Sequence, residues 1–228
     1  MSGTILLVRH GQTEWNLVGR YQGWGDSPLT ALGIAQAQAI GRHLRNIPEA
    51  GDAPIVSSPI GRARRSAALI REQLGTTAPI TFDERLREIS LGSWDGLDRN
   101  EIAALVPGIF TGDGRWEWYF RTPSGETYDE FAGRLASWLA EADGQTLIVV
   151  AHGIVTRAMR GLYAGLPRAT ALRLPVPQDR IFRLAGGRVE EIEVPTIAVP
   201  ETPGSAPPAR PAPQPAPTRS DPAAPSSR

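Results

Sequence analysis

The chain has 228 residues, and its 24 acidic and 24 basic residues cancel, which suits one substantial α/β domain and argues against a broad basic field for nucleic acid. Cysteine is absent, so thiolate nucleophiles, cysteine-ligated zinc, iron–sulfur clusters and disulfides are excluded. All 24 basic residues are arginine, which excludes a P-loop lysine, lysine Schiff bases and a pyridoxal phosphate anchor.

Thr4–Val8 is a short β-branched and leucine run that predicts a buried strand. Thr30 is placed to cap a helix through about Arg45, with Leu32, Ala35, Ala39 and His43 spaced for one face. Ile55–Ser57 predicts a second strand, followed by a helix over Gly61–Leu74. Ile80–Phe82 predicts a third strand, with Leu86–Ile89 extended beyond it and a short helix over Arg99–Leu105 stopping before Pro107. Gly108 to Gly125 is rich in glycine and aromatics and reads as a lid insertion over 108–125. A helix follows over Tyr128–Glu141. Gln145–Ala151 is the strongest strand pattern in the chain and leads into a helix over Ile154–Ala164. Leu172–Leu174, Arg180–Leu184 and Val189–Val194 are expected as closing strands.

Strands alternating with helices predict a three-layer α/β/α sandwich with a mostly parallel central sheet over residues 1–194. Residues 195–228 are Pro-, Ala- and Ser-rich and are expected to be a disordered tail, either passive or a ligand for Pro-reading domains. No apolar run is long enough to span a bilayer. Met1-Ser2-Gly3-Thr4 has no basic n-region or cleavage pattern, so the expected location is cytoplasmic, with no membrane or nucleic-acid partner.

Two predicted strands end alike: Leu6-Leu7-Val8 runs into Arg9-His10-Gly11, and Val149-Val150-Ala151 into His152-Gly153. Ligands of open α/β sheets bind at the carboxyl ends of strands, so parallel, adjacent strands would bring His10 and His152 side by side. The third histidine, His43, falls on a helix face and reads as structural. A third strand end, Ile55-Val56-Ser57-Ser58-Pro59, puts Arg62 near a helix start, where its planar fork suits phosphate oxygens. Arg9, directly after a buried strand, calls for an anionic partner. Arg64, Arg65 and Arg71 read as solvated.

These segments resemble the signature of the histidine phosphatase, or phosphoglycerate-mutase-like, superfamily. The resemblance rests on five blocks in the expected order. They are Leu6 through Asn16 (Leu-Leu-Val-Arg-His-Gly-Gln-Thr-Glu-Trp-Asn), Gly19 to Gly23 with Asp26 to Thr30, Ser57-Ser58-Pro59 with Arg62-Ala63, Arg87-Glu88-Ile89 with Gly92 to Gly96, and His152-Gly153. It implies His10 as a nucleophile that becomes phosphohistidine, with Arg9, Arg62 and His152 around the phosphoryl oxygens. Asn16 would donate a further hydrogen bond, Gln22 and Gly23 would approach the substrate, and Glu88 would give a proton to the leaving oxygen. No cofactor or metal is expected. Two arginines and a protonated His152 would supply positive charge, while His10 would be neutral, with one nitrogen protonated and the other attacking. Taken alone, Glu88 also fits an exposed carboxylate paired with Arg85 or Arg87.

The expected function is hydrolysis of a small phosphorylated metabolite. Mutases of this superfamily typically carry Arg-His-Tyr-Gly after the acidic residue, plus a lysine and a paired arginine that clamp the substrate carboxylate. Here Glu88 is followed by Ile89-Ser90-Leu91-Gly92 and lysine is absent. Mutase-type transfer and a catalytically silent phospho-ligand binder are the alternatives; retention of both His10 and Glu88 speaks against the latter. Trp118 and Tyr119 of the lid could select an apolar or ring-bearing alcohol, and Arg115 or Arg121 a second anion. The aromatic stretch equally fits a small satellite core.

Overall fold

The structure is a computed structural model that describes residues 3–195; most of the expected tail lies outside them. Six strands form one sheet in the order β3-β2-β4-β1-β5-β6. They are β1 (Ile5–Arg9), β2 (Ile55–Ser57), β3 (Ile80–Phe82), β4 (Leu147–Ala151), β5 (Arg180–Ala185) and β6 (Arg188–Glu193). The pairs β1–β4, β2–β4 and β2–β3 are parallel, whereas β5 runs antiparallel to β1 and β6 to β5. The central β1 and β4 are aligned from Ile5 opposite Leu147 to Arg9 opposite Ala151.

The period-2 alternation of the two central strands divides the core. Ile5 and Leu7 of β1, with Leu147, Val149 and Ala151 of β4, face one layer. Leu6 and Val8, with Ile148 and Val150, face the other. The first layer holds helices α5 (Tyr128–Glu141) and α6 (Gly153–Tyr163), through Phe131, Leu135, Trp138, Val155 and Met159. The second holds α2 (Ala31–Leu44) and α3 (Gly61–Leu74), through Ala37, Ile40, Leu44, Ala63, Ala67 and Ile70. Both faces of the sheet are covered, which is why β1 and β4 read as continuous apolar runs.

Short helices α1 (Glu14–Leu17), α4 (Arg99–Leu105) and α7 (Arg168–Ala171) fill the connections. Helix starts follow local chemistry. Thr13, Asp98 and Thr127 each form a reciprocal capping box with Asn16, Glu101 and Glu130, and Thr30 accepts from the Gly33 N–H. Gly75 ends α3 in the left-handed conformation. Among the described residues no helix is long and apolar enough to cross a membrane.

Three expectations need correction. Leu172–Leu174 forms no strand: it is the turn that leaves α7, and prolines at 175 and 177 keep the following chain out of the sheet ladder. Leu86–Ile89 is not uniformly extended, because Glu84–Leu86 is a turn of 3-10 helix capped by Asp83. The buried stripe of α2 runs through Gly33, Gln36, Ala37, Ala39, Ile40, Gly41 and Leu44; of the expected face Ala39 is buried, while Leu32, Ala35 and His43 lie on half-buried edges. Small residues set that stripe: a Cβ on Gly41 would lie 2.6 Å from the Ile70 carbonyl oxygen, so the backbones of α2 and α3 approach closely there.

Candidate active site

His10 and His152 leave the carboxyl ends of the paired strands β1 and β4, and their ring centroids are 5.2 Å apart. They are 2% and 0% exposed. His10 Nδ1 lies 2.7 Å from the Gly11 carbonyl oxygen, which can only accept, so the ring proton sits on Nδ1 and Nε2 is bare. That nitrogen accepts from Arg62 Nε at 3.2 Å. Burial, then Arg62 and Arg9, hold the His10 pKa well below its ordinary value.

Arg62 enters on the first turn of α3 and is 2% exposed. Its guanidinium is fixed by two carbonyls of the loop before α2: Nη1 donates to Gly25 at 2.6 Å and Nη2 to Gly23 at 2.9 Å. Asp26 accepts the Arg62 N–H at 3.1 Å and approaches Nη1 at 3.4 Å. That loop is tied down by Asp95, whose carboxylate accepts from the N–H groups of Trp24, Gly25 and Leu91. The fit is close. Gly23 has φ +49, and a Cβ there would fall 1.9 Å from Asp95 Oδ1. Burial raises the Asp95 pKa to about 6 against those hydrogen bonds.

Arg9, expected to face an anion, lines the cleft and donates through Nη1 to the Val176 carbonyl at 2.5 Å. Its Nε is buried without a partner, and its pKa falls to about 10 through burial, partly offset by the charge of Glu88. Burial first, then Arg62, His10 and Arg9, push the His152 pKa well below its ordinary value, which works against the protonated form expected with a phosphoryl group in place. His152 Nε2 lies 2.7 Å from Ser58 Oγ, and Nδ1 is buried without a partner.

Glu88 is not paired with Arg85 or Arg87, whose ion pairs go to Asp83 and Glu141 and to Glu84 respectively. Its carboxylate accepts from the N–H groups of Ile89 at 3.0 Å and Ile154 at 3.2 Å, the latter in the first turn of α6. Asn16 Oδ1 accepts from Thr13 and from Gln178 Nε2, which turns its amide Nδ2 outward as a donor. Gln22 Nε2 donates to Thr13 Oγ1, leaving Oε1 buried and without a partner. Arg9, His10, Asn16, Gln22, Gly23, Arg62 and Glu88 all line one cleft of about 490 Å³, with His152 behind His10.

The sequence carried no pointer to Gln178, which also donates to the His10 carbonyl, nor to Arg157 on α6. The 108–125 segment contributes to both the core and the cleft. Ile109, Trp118 and Tyr119 are buried in the first core layer, and Arg115, Trp116, Trp118 and Tyr119 line the cleft. Among the described residues no group of three or more His, Asp or Glu side chains is placed to hold a metal ion.

The model of the histidine phosphatase superfamily, branch 1, matches residues 5–188. The chain belongs to the histidine phosphatase superfamily. A superfamily relative, the "Probable phosphoglycerate mutase GpmB" of Salmonella paratyphi C, is 38% identical over 192 residues, covering 79% of this chain and 83% of its own. Among solved structures, the YhfR protein of Bacillus stearothermophilus superposes with a TM-score of 0.70 at 31% identity, covering 86% of this chain and 98% of its own. A mycobacterial glucosyl-3-phosphoglycerate phosphatase, solved with VO3, gives a TM-score of 0.67 at 29% identity, covering 84% and 96%. Superfamily membership makes this an enzyme of phosphoryl transfer or hydrolysis.

Proposed function

We propose that the protein hydrolyses phosphate monoesters of a small phosphorylated metabolite through a phosphohistidine on His10, without a metal. The observation that carries this reading is the bare Nε2 of a neutral, buried His10 held against Arg62. The Nε2 lone pair forms the N–P bond as the ester P–O bond breaks, and the Glu88 carboxyl proton goes to the departing oxygen. Water then attacks phosphorus, Glu88 takes its proton, and the N–P bond electrons return to Nε2. Arg9 and Arg62 hold the equatorial oxygens, Asn16 Nδ2 adds a donor, and Gln22 and Gly23 border the substrate. A neutral His152, receiving a hydrogen bond from Ser58 at Nε2, offers its Nδ1–H to the same oxygens.

Hydrolysis is favoured over mutase transfer by Ile89-Ser90-Leu91 after Glu88 and by the absence of lysine. The likeness to a phosphoglycerate mutase keeps the second reading alive. The deciding experiment follows p-nitrophenyl phosphate in EDTA and traps the phosphoenzyme. Turnover should persist, with an acid-labile, base-stable label that His10→Ala abolishes. Normal turnover in that variant would refute the assignment. Interconversion of 2- and 3-phosphoglycerate without phosphate release would establish the mutase reading instead.

A further inference from the structure

Three consecutive carbonyls between α7 and β5 are each taken by an arginine from the centre of the fold. Arg157 Nε donates to Leu174 at 2.7 Å, Arg160 Nη2 to Pro175, and Arg9 Nη1 to Val176 at 2.5 Å. Arg157 and Arg160 are 8% and 4% exposed, so these bonds form away from water, where leaving them unmade is costly. Pro175 and Pro177 restrict φ within the same stretch. The strap over 174–178 is therefore fixed before its last residue, Gln178, makes any contact, and that contact costs little further ordering entropy.

Gln178 reaches back to the cleft. Its Nε2 donates to the His10 carbonyl and to Asn16 Oδ1, each at 3.2 Å. The Thr13 N–H also donates to Asn16 Oδ1, at 3.3 Å, which identifies that atom as the oxygen of the amide. Two acceptors thus face Gln178, and only its nitrogen, with two hydrogens, satisfies both. With both lone pairs of Oδ1 filled, Asn16 has only Nδ2 to offer the cleft that it lines. If Gln178 were absent, turning the Asn16 amide over would cost the single bond from Thr13 and would aim an oxygen at the phosphoryl oxygens. With Gln178 in place, the turned amide sets its hydrogens against two donors.

We propose that Gln178 is a positioning residue for phosphoryl binding, acting through Asn16 by locking its amide with Nδ2 toward the anion. The His10 carbonyl aims Gln178 itself. This rests on the cleft's being a phosphomonoester site.

The test reads binding rather than turnover. Calorimetry on the full chain measures the affinity for tungstate, a tetrahedral dianion that cannot be hydrolysed. Asn16→Ala should weaken it ~10-fold, the effect of one charge-assisted hydrogen bond. Gln178→Met keeps the length of the side chain, removes the donor and should weaken binding ~3–10-fold. Gln178→Glu replaces the donor with an acceptor, draws Asn16 Nδ2 away from the anion and should cost more than Gln178→Met. In the Asn16→Ala background, Gln178→Met should cost less than ~2-fold, because the group it acts through is gone. Melting temperatures show whether each variant folds, and Gln178→Leu carries the same cycle if Gln178→Met does not. Losses that multiply in the double variant overturn the proposal, since Gln178 would then act independently of Asn16. Unchanged affinity in Gln178→Met or in Asn16→Ala overturns it too, as does an unaltered chain that binds no tungstate. Failure of the hydrolase reading shows separately, as absent phosphoenzyme with the coupling between Gln178 and Asn16 intact.

Discussion

Acidification from pH 7.5 to 5.0 should destabilise the fold by an amount the buried imidazoles set. His10 and His152 have pKa values held well below ordinary, so the folded state leaves both neutral while the unfolded chain protonates both near pH 6.5. The unfolded state then binds more protons, and stability falls as pH drops through that value. Each histidine contributes a loss of ~2 kcal/mol by pH 5.0, or ~4 kcal/mol together. Asp95 acts in the opposite direction. Its pKa of about 6 in the folded protein lies above the ordinary carboxylate value, so it binds its proton first in the folded state and returns ~1.4 kcal/mol. Asp83 and Glu49 have lowered pKa values and lose their contribution only below this window. The net expectation is a loss of ~2–3 kcal/mol. Urea unfolding followed by the fluorescence of the six tryptophans measures it at each pH. His152→Gln should reduce the slope by about one proton. A midpoint that stays flat or rises on acidification would show that the imidazoles are not buried neutral.

Gly11→Ala would place a Cβ 2.1 Å from the Gly33 carbonyl oxygen, so the backbone beside His10 must shift. The expected result is a stability loss of ~1–3 kcal/mol and a fall of ~100-fold in kcat, measured by unfolding and p-nitrophenyl phosphate turnover. Asp95→Asn turns an amide hydrogen toward N–H groups that now meet a carboxylate, loosening the carbonyls that aim Arg62. Its kcat/KM should drop ~10–100-fold, and the variant should lose the acid-side compensation described above. Glu88→Gln should slow alkyl phosphates far more than activated aryl phosphates; equal losses in a series of leaving groups would remove it as proton donor.

The sheet was legible because its central strands are buried on both faces, so Leu6-Leu7-Val8 and Ile148-Val149-Val150 stand out as apolar runs ending in His-Gly. The clustering of His10 and His152 follows from that alone, given parallel neighbours. What escaped was carried by contacts between distant segments. Leu172-Arg173-Leu174 alternates like a strand, but its neighbours' carbonyls are taken by arginines from elsewhere: Leu174 by Arg157, Pro175 by Arg160 and Val176 by Arg9. No periodicity encodes that. Gln178 is a lone polar residue after Pro177, and only the folded loop brings it to the His10 carbonyl. Asp95 lay inside a recognised block, yet its task depends on the Gly23–Gly25 turn arriving from the far side of the cleft.

The 108–125 segment serves two masters along a single short stretch. Trp118 packs against Tyr21, Trp94 and Phe110, so replacing it would tear the interior as well as the binding wall. Arg115 is exposed and Trp116 half-buried at the cleft margin. A change in what the cleft accepts is therefore least disruptive at those two rim positions, where a side chain can be exchanged without disturbing the packing beneath.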